Sequence, residues 1–100
     1  MSNFLKKANS GDDLAQLTVG KMYSKGLGVT KNLGEAVNWY IKASLNNNSD
    51  AQYLLAQAYY FGAGVSEDRN DAFVWYKRAA SFGNPDAIIA LERFASEIEK

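Results

Sequence analysis

Gly26-Leu27-Gly28-Val29 returns as Gly62-Ala63-Gly64-Val65, 36 positions later. The residues around it return in the same register without a gap. Ala15, Gln16, Tyr23, Gly26, Gly28, Val29, Ala36, Trp39, Tyr40, Ala43, Asn48 and Asp50 each meet an identical residue 36 positions on. That makes 12 identities in 36 aligned positions, where average residue usage gives about two. A fixed period of this length marks copies of one supersecondary unit stacked side by side.

Each unit divides into two helical stretches. In the first, Ala15, Val19, Met22 and Tyr23 recur at steps of three and four, as do Ala51, Leu55, Ala58 and Tyr59 in the second copy. Such spacing places them on one helix face. In the second stretch Leu33, Ala36, Tyr40 and Ala43 share a face, with Trp39 at its edge. No run alternates with period two, so strands are not expected. Asn32 and Asp68 stand where a side-chain oxygen would accept a free N–H at a helix start. Gly26 and Gly28 offer positive φ where the chain leaves one helix and turns back. Pro85 sits in a first helical turn, where its missing N–H costs little. These signals predict helices over 3–10, 13–25, 33–46, 49–61, 69–82 and 85–99. Loops this short force antiparallel hairpins, and hairpins stacked at a fixed period make a short all-α solenoid of about six helices.

Composition narrows the function. The 100 residues carry 11 Lys plus Arg and 11 Asp plus Glu, a net charge of zero, which lacks the positive excess that nucleic-acid binding needs. There is no Cys and no His, which removes thiolate metal sites and the commonest general base and metal ligand. No cofactor and no metal are therefore expected. Lys6-Lys7 has no apolar segment behind it to make a signal peptide. No apolar run approaches the roughly 18 residues of a membrane helix. The expectation is a cytoplasmic protein that binds neither membrane nor nucleic acid.

The repeated residues resemble the Sel-1-like repeat family, relatives of the tetratricopeptide repeats. The second copy carries Ala51, Leu55-Ala56, Tyr59, Gly62-x-Gly64-Val65, Glu67-Asp68, Ala72, Trp75-Tyr76, Ala79-Ala80, Gly83 and Ala87. The first carries Ala15, Val19-Gly20, Tyr23, Gly26-x-Gly28-Val29, Lys31-Asn32, Ala36, Trp39-Tyr40 and Ala43-Ser44. The pattern covers nearly the whole chain. Departures are Ala56 for Gly, Asn32 for Asp and Asn47 for the closing Gly. The resemblance implies an adaptor or scaffold.

The register also runs outward. Phe4 falls at the Tyr40 position, Gly11 at Gly83, and Lys7 at the Ala43 position; at the other end Ile88, Leu91, Phe94 and Ile98 make an apolar stripe, and Glu92 replaces Gly20 and Ala56. Charge at Lys7 and Glu92 suits capping units with no neighbour beyond. The expected division is a capping half-repeat over 1–12, repeats over 13–48 and 49–84, and a capping helix over 85–100, together one complete small domain.

Catalytic chemistry is not expected. Asp12-Asp13, Glu67-Asp68 and Asp71 lie at helix starts, where capping and the helix dipole explain them. The Gly-x-Gly pairs lack the third Gly and the preceding strand of a dinucleotide site. Asn46-Asn47-Asn48 reads as a solvated turn. What remains is a surface. From Ala15 at zero, 100° per residue places Ser24, Leu17 and Lys21 at about 180°, 200° and 240°, opposite the core stripe. In tetratricopeptide-like solenoids this side lines the concave groove, so the resemblance makes Leu17, Lys21, Tyr53, Gln57, Tyr60, Ile89 and Arg93 the candidate partner-binding residues. Tyrosine with flanking charge suits a binding hot spot.

The function expected is therefore non-enzymatic protein binding in a groove of the second, fourth and sixth helices. A small adaptor and an antitoxin or immunity protein occluding a cognate toxin are its two forms; a self-associating structural protein is the alternative, and a hydrolase is disfavoured. A monomer is expected, with a dimer formed through the groove as the other possibility. The small repeated residues let helices approach closely, so Ala36→Leu or Ala72→Leu is expected to overpack the core and lower stability by about 1–3 kcal/mol in urea denaturation.

Overall fold

The computed structural model describes residues 2–98 and is all-α; among these residues there is no strand. Six helices follow in order: α1 (Ser2–Asn9), α2 (Asp13–Lys25), α3 (Leu33–Leu45), α4 (Ser49–Phe61), α5 (Arg69–Ser81) and α6 (Pro85–Ile98). The expected end of the last helix at Glu99 lies outside the described residues, as does the side chain of Ile98. Each helix packs chiefly on its neighbours in sequence, most extensively within the hairpins α2–α3 and α4–α5. The result is elongated, 47 × 25 × 16 Å.

The hairpins turn where the glycines require it. Gly26 and Gly62 end α2 and α4 in the left-handed conformation at φ 70° and 68°, and their N–H groups bond the Met22 and Ala58 carbonyls. The returning chain is then fixed by Asn32 N–H on the Tyr23 carbonyl at 2.9 Å and by Asp68 N–H on the Tyr59 carbonyl at 2.8 Å. The Asn32 and Asp68 side chains cap α3 and α5 by accepting from the Glu35 and Asp71 amides, each at 3.0 Å. Asp12 caps α2 in the same way through the Ala15 amide.

Three buried clusters form one continuous interior. Ala8, Ala15, Val19 and Trp39 join α1 to the first hairpin. Leu17, Ala36, Val37, Tyr40, Ala43, Ala51, Leu55 and Ala58 join the two hairpins. Ala56, Ala72, Tyr76, Ala79 and Ala87 join the second hairpin to α6. Alanine recurs because it lets the backbones come together. Gly20 is more extreme: a Cβ there would lie 2.6 Å from the Tyr40 ring. Trp39, expected at the edge of its stripe, is buried against α1 and α2, with the Lys42 ammonium 4.1 Å from its ring centroid.

Polar groups join one unit to the next. Gln16 and Gln52 are both buried, and each donates from Nε2 to a carbonyl at the end of the preceding helix: Ala8 at 3.1 Å and Ser44 at 3.2 Å. Helix-end carbonyls lack partners within their own helix. These two accept the turn N–H groups of Gly11 and Asn47, and the glutamine amides add a second bond to each from the next unit. Asn48 accepts from the Ala51 amide at 2.9 Å to cap α4, and its Nδ2 donates to Asp13 at 2.8 Å. Asn84 repeats the arrangement, capping α6 through Ala87 and donating to Asp50 at 3.0 Å. The expected solvated turn at Asn46-Asn47-Asn48 is thus corrected: Asn46 and Asn47 are exposed, with Asn47 at φ 63°, but half-buried Asn48 is a cap and an inter-unit tie.

Gly64 makes a close approach between units, where Gly20 makes one within a hairpin. A Cβ there would overlap the Leu33 carbonyl and lie 3.1 Å from the Gly34 nitrogen, both main-chain atoms at the start of α3. Gly28 holds the equivalent place one unit earlier and would meet only the flexible end of Met22 at 3.6 Å. Both have positive φ, so Gly28→Ala is expected to cost about 1–2 kcal/mol through backbone strain. Gly64→Ala adds the overlap, about 1–3 kcal/mol more. Denaturation midpoints of the two variants compared side by side check the difference.

Candidate partner-binding cleft

The first helices of the units, α2, α4 and α6, are joined through the second helices and leave openings between them. The larger opening lies between α4 and α6 and encloses about 490 Å³, within the range of ligand-sized pockets. From α4 it takes Tyr53, Gln57, Tyr60 and Phe61; from α6, Asp86, Ile89, Ala90, Arg93 and Phe94; and Tyr76 of α5 is its buried floor. Five of the seven residues expected in the groove therefore meet in one place: Tyr53, Gln57, Tyr60, Ile89 and Arg93. Helical spacing explains the meeting. Tyr53, Gln57 and Tyr60 are four and three residues apart on α4, and Ile89 and Arg93 are four apart on α6, so each set projects from one face.

Lys21 is exposed on α2 and lines neither opening. Leu17 corrects the expectation outright. It is only 7% exposed and belongs to the cluster joining the two hairpins. The angular position that carries Tyr53 toward the cleft carries Leu17 into the α3–α4 interior, and its short aliphatic side chain is enclosed there.

Four cleft features escaped the sequence reading. Tyr76, the repeat equivalent of the face residue Tyr40, also floors the cleft with its ring. Asp86 lies three residues before Ile89 and seven before Arg93, the same face of α6, and that spacing was legible. Phe61, 68% exposed, immediately follows Tyr60 and packs edge-on against it at 4.9 Å between centroids. Phe94 stacks on Phe73 of α5 at 4.9 Å, which ties the far wall of the cleft to its floor helix.

The polar lining is concentrated on tyrosine. The Tyr53 and Tyr76 rings lie 5.9 Å apart. Gln57 Nε2 donates to the Tyr53 hydroxyl at 2.8 Å. The Arg69 guanidinium lies 4.7 Å from the Tyr60 ring centroid and pairs with Glu67 at 3.5 Å on the exposed surface. Burial pushes the Tyr76 phenol up to about 12, and the neighbouring Tyr53 and Tyr60 phenols add to the rise.

A smaller opening of about 270 Å³ lies on the other side of α4, lined by Ser24, Leu33, Ala36, Val37, Tyr40, Leu54, Gln57, Ala58, Phe61 and Ala63. Its floor is Tyr40, the equivalent of Tyr76. Burial also raises the Tyr40 phenol, while a hydrogen bond with Ser24 lowers it in part.

Among the described residues no group of three or more His, Cys, Asp or Glu side chains comes together to hold a metal. No helix among them is long and apolar enough to cross a membrane.

Helical hairpins repeated at a fixed period, with openings between their first helices, define a short α-solenoid. The family model described as the Sel1 repeat matches residues 13–48 and 49–84. The chain belongs to the Sel1 repeat family, whose members are generally protein-interaction modules. Among solved structures it is similar to a Sel1 repeat protein from Oxalobacter formigenes, with TM-score 0.89 and 37% identity over 90% of this chain and 68% of that one. A protective antigen present in uropathogenic Escherichia coli strains superposes with TM-score 0.82 and 36% identity, over 84% of this chain and 18% of its own. Cysteine rich protein B of Helicobacter pylori gives TM-score 0.82 and 27% identity, over 85% of this chain and 64% of its own. A putative sel1-like repeat-containing protein of Acanthamoeba polyphaga mimivirus is 39% identical over 41 residues, 41% of this chain. The match spans 7% of that relative's length.

The Tyr76 shift carries a pH dependence. A phenol whose folded pKa lies above its ordinary 10.0 holds its proton in the folded state after the unfolded chain has lost it. Stability from this group is complete below pH 10.0 and is lost as pH rises toward about 12. Tyr76→Phe is expected to flatten the fall in melting temperature over that window relative to wild type, followed by circular dichroism alongside tyrosinate absorbance.

Proposed function

We propose that the chain is a non-enzymatic module that holds a partner protein in the α4–α6 cleft. The observation that carries this reading is the convergence of Tyr53, Gln57, Tyr60, Ile89 and Arg93 on one cavity floored by Tyr76. Rigid tyrosines beside an arginine give large contact area, hydrogen bonding and little loss of side-chain freedom, the combination found at interface hot spots. The absence of Cys and His from the sequence agrees with a binding role. The partner's identity decides between the two forms of the function, a small adaptor or an antitoxin or immunity protein that occludes a toxin. The protein is proposed to act as a cytoplasmic monomer.

The test is affinity capture from the native cell with three baits: wild type, the Tyr53→Ala, Tyr60→Ala double variant, and Val74→Ala. Val74 is 47% exposed on α5 and lines neither opening. Partners held by wild type and Val74→Ala are expected to be lost from the double variant, with the fold of each bait checked by circular dichroism. Equal capture by a folded double variant overturns the cleft reading. Sedimentation at micromolar concentration is expected to give a monomer; a dimer that dissociates in the double variant would assign the cleft to self-association instead.

A further inference from the structure

The two openings flank α4 and differ in chemistry. The smaller is walled by aliphatic groups, among them Leu33, Val37 and Leu54, and the one hydroxyl beside its floor phenol, Ser24, donates to the Lys21 carbonyl. The larger presents hydrogen-bond donors. Among the described residues the Tyr76 hydroxyl has no hydrogen-bond partner and the Arg93 guanidinium has no ion pair. The Tyr53 hydroxyl accepts from Gln57, which leaves its own proton to give. Arg69, over the Tyr60 ring, is paired with Glu67 and does not line the opening, which leaves Arg93 as the cation of its lining. Asp86 lies two turns earlier on α6, about 10 Å away along the axis. It stands in the first turn, where the helix dipole already favours a carboxylate.

Gln57 and Phe61 line both openings, so a ligand filling one passes over them to reach the other. The crossing is about one helix diameter, roughly 10 Å. A chain in the polyproline II conformation advances about 3.1 Å per residue and repeats its side-chain direction every three residues, which puts positions i and i+3 on one side about 9 Å apart. A β-strand repeats every two residues, giving same-side spacings of about 7 or 13 Å, which straddle that distance.

Building on the cleft reading above, we propose that the partner presents an extended segment that seats an aliphatic side chain in the smaller opening and, three residues away, an acidic side chain against Arg93 and Tyr76 in the larger. A guanidinium and a phenol hydroxyl are matched donors for a carboxylate, and such charge-assisted bonds are the strong ones. A basic side chain at the same place would lie beside Arg93. Gln57, whose Nε2 is used on Tyr53, keeps its Oε1 for a main-chain N–H of the crossing segment.

The test is selection of a random peptide library displayed on phage against the full chain, followed by calorimetry with the selected peptides. Enriched peptides are expected to carry Leu, Ile or Val three positions from Asp or Glu. Arg93→Glu is expected to weaken a selected acidic peptide about tenfold or more and, used as bait, to enrich Lys or Arg at that position. Arg93 is exposed, so the variant is expected to melt like wild type. Enrichment without an acidic position, or equal binding by Arg93→Glu, overturns the acidic-segment proposal and leaves the cleft reading intact. Selected peptides that bind the folded Tyr53→Ala, Tyr60→Ala variant as well as wild type overturn the cleft reading itself. No enrichment at all overturns recognition of an extended segment, and the cleft would then receive a folded surface.

Discussion

A stack of helical hairpins depends on what happens at the seam between units, where the last carbonyls of one helix meet the first amides of the next. Neither set has partners within its own helix. At the central seam the 1%-exposed Gln52 supplies the Ser44 carbonyl, Asn48 caps α4, and the other end of the Asn48 amide reaches Asp13 in the unit before. Buried amides without bonds cost about 1–3 kcal/mol each, so these bonds define how one unit may sit on the next. Gly64 on the Leu33 main chain fixes the far end of the same seam. With both ends held, the alanine faces between them meet at contact distance, and Tyr40 and Tyr76 come to floor the openings between first helices.

The positions that could be read from sequence are those where one residue type answers one local demand. Gly26 and Gly62 supply left-handed φ, and Asn32 and Asp68 supply a capping oxygen; neither depends on which helix lies alongside. Seam residues are different, because their partners come from another unit. Gln16 and Gln52 look polar and therefore peripheral, although each faces a carbonyl of the preceding helix. Their identity across the repeat was the available signal. Asn48 was hidden in a run of three asparagines, yet Asn84 stands at its register and Asp12 one period before it. For the cleft, helical angles sorted Tyr53, Gln57, Tyr60, Ile89 and Arg93 correctly onto facing walls. The same angles misplaced Leu17, because an angle states a direction and not which neighbour fills it.

The two openings show how a repeat separates construction from recognition. Their floors, Tyr40 and Tyr76, are the same residue. Their walls are not: Ser24 becomes Tyr60, Leu54 becomes Ala90, Gln57 becomes Arg93 and Ala58 becomes Phe94. One opening sets a serine beside its phenol and presents aliphatic groups. The other leaves its phenol in the company of two more and an arginine. The Sel1 framework thus sets where the openings lie, and the variable positions set what chemistry each displays.

The walls of the larger cleft, α4 and α6, are each packed on α5, and the Phe73–Phe94 stack carries part of the second attachment. Its width is therefore not a property of either wall but of how α4 and α6 both sit on α5. The cleft is thus bounded by packing that runs the length of the second hairpin and α6, within an object 47 Å long.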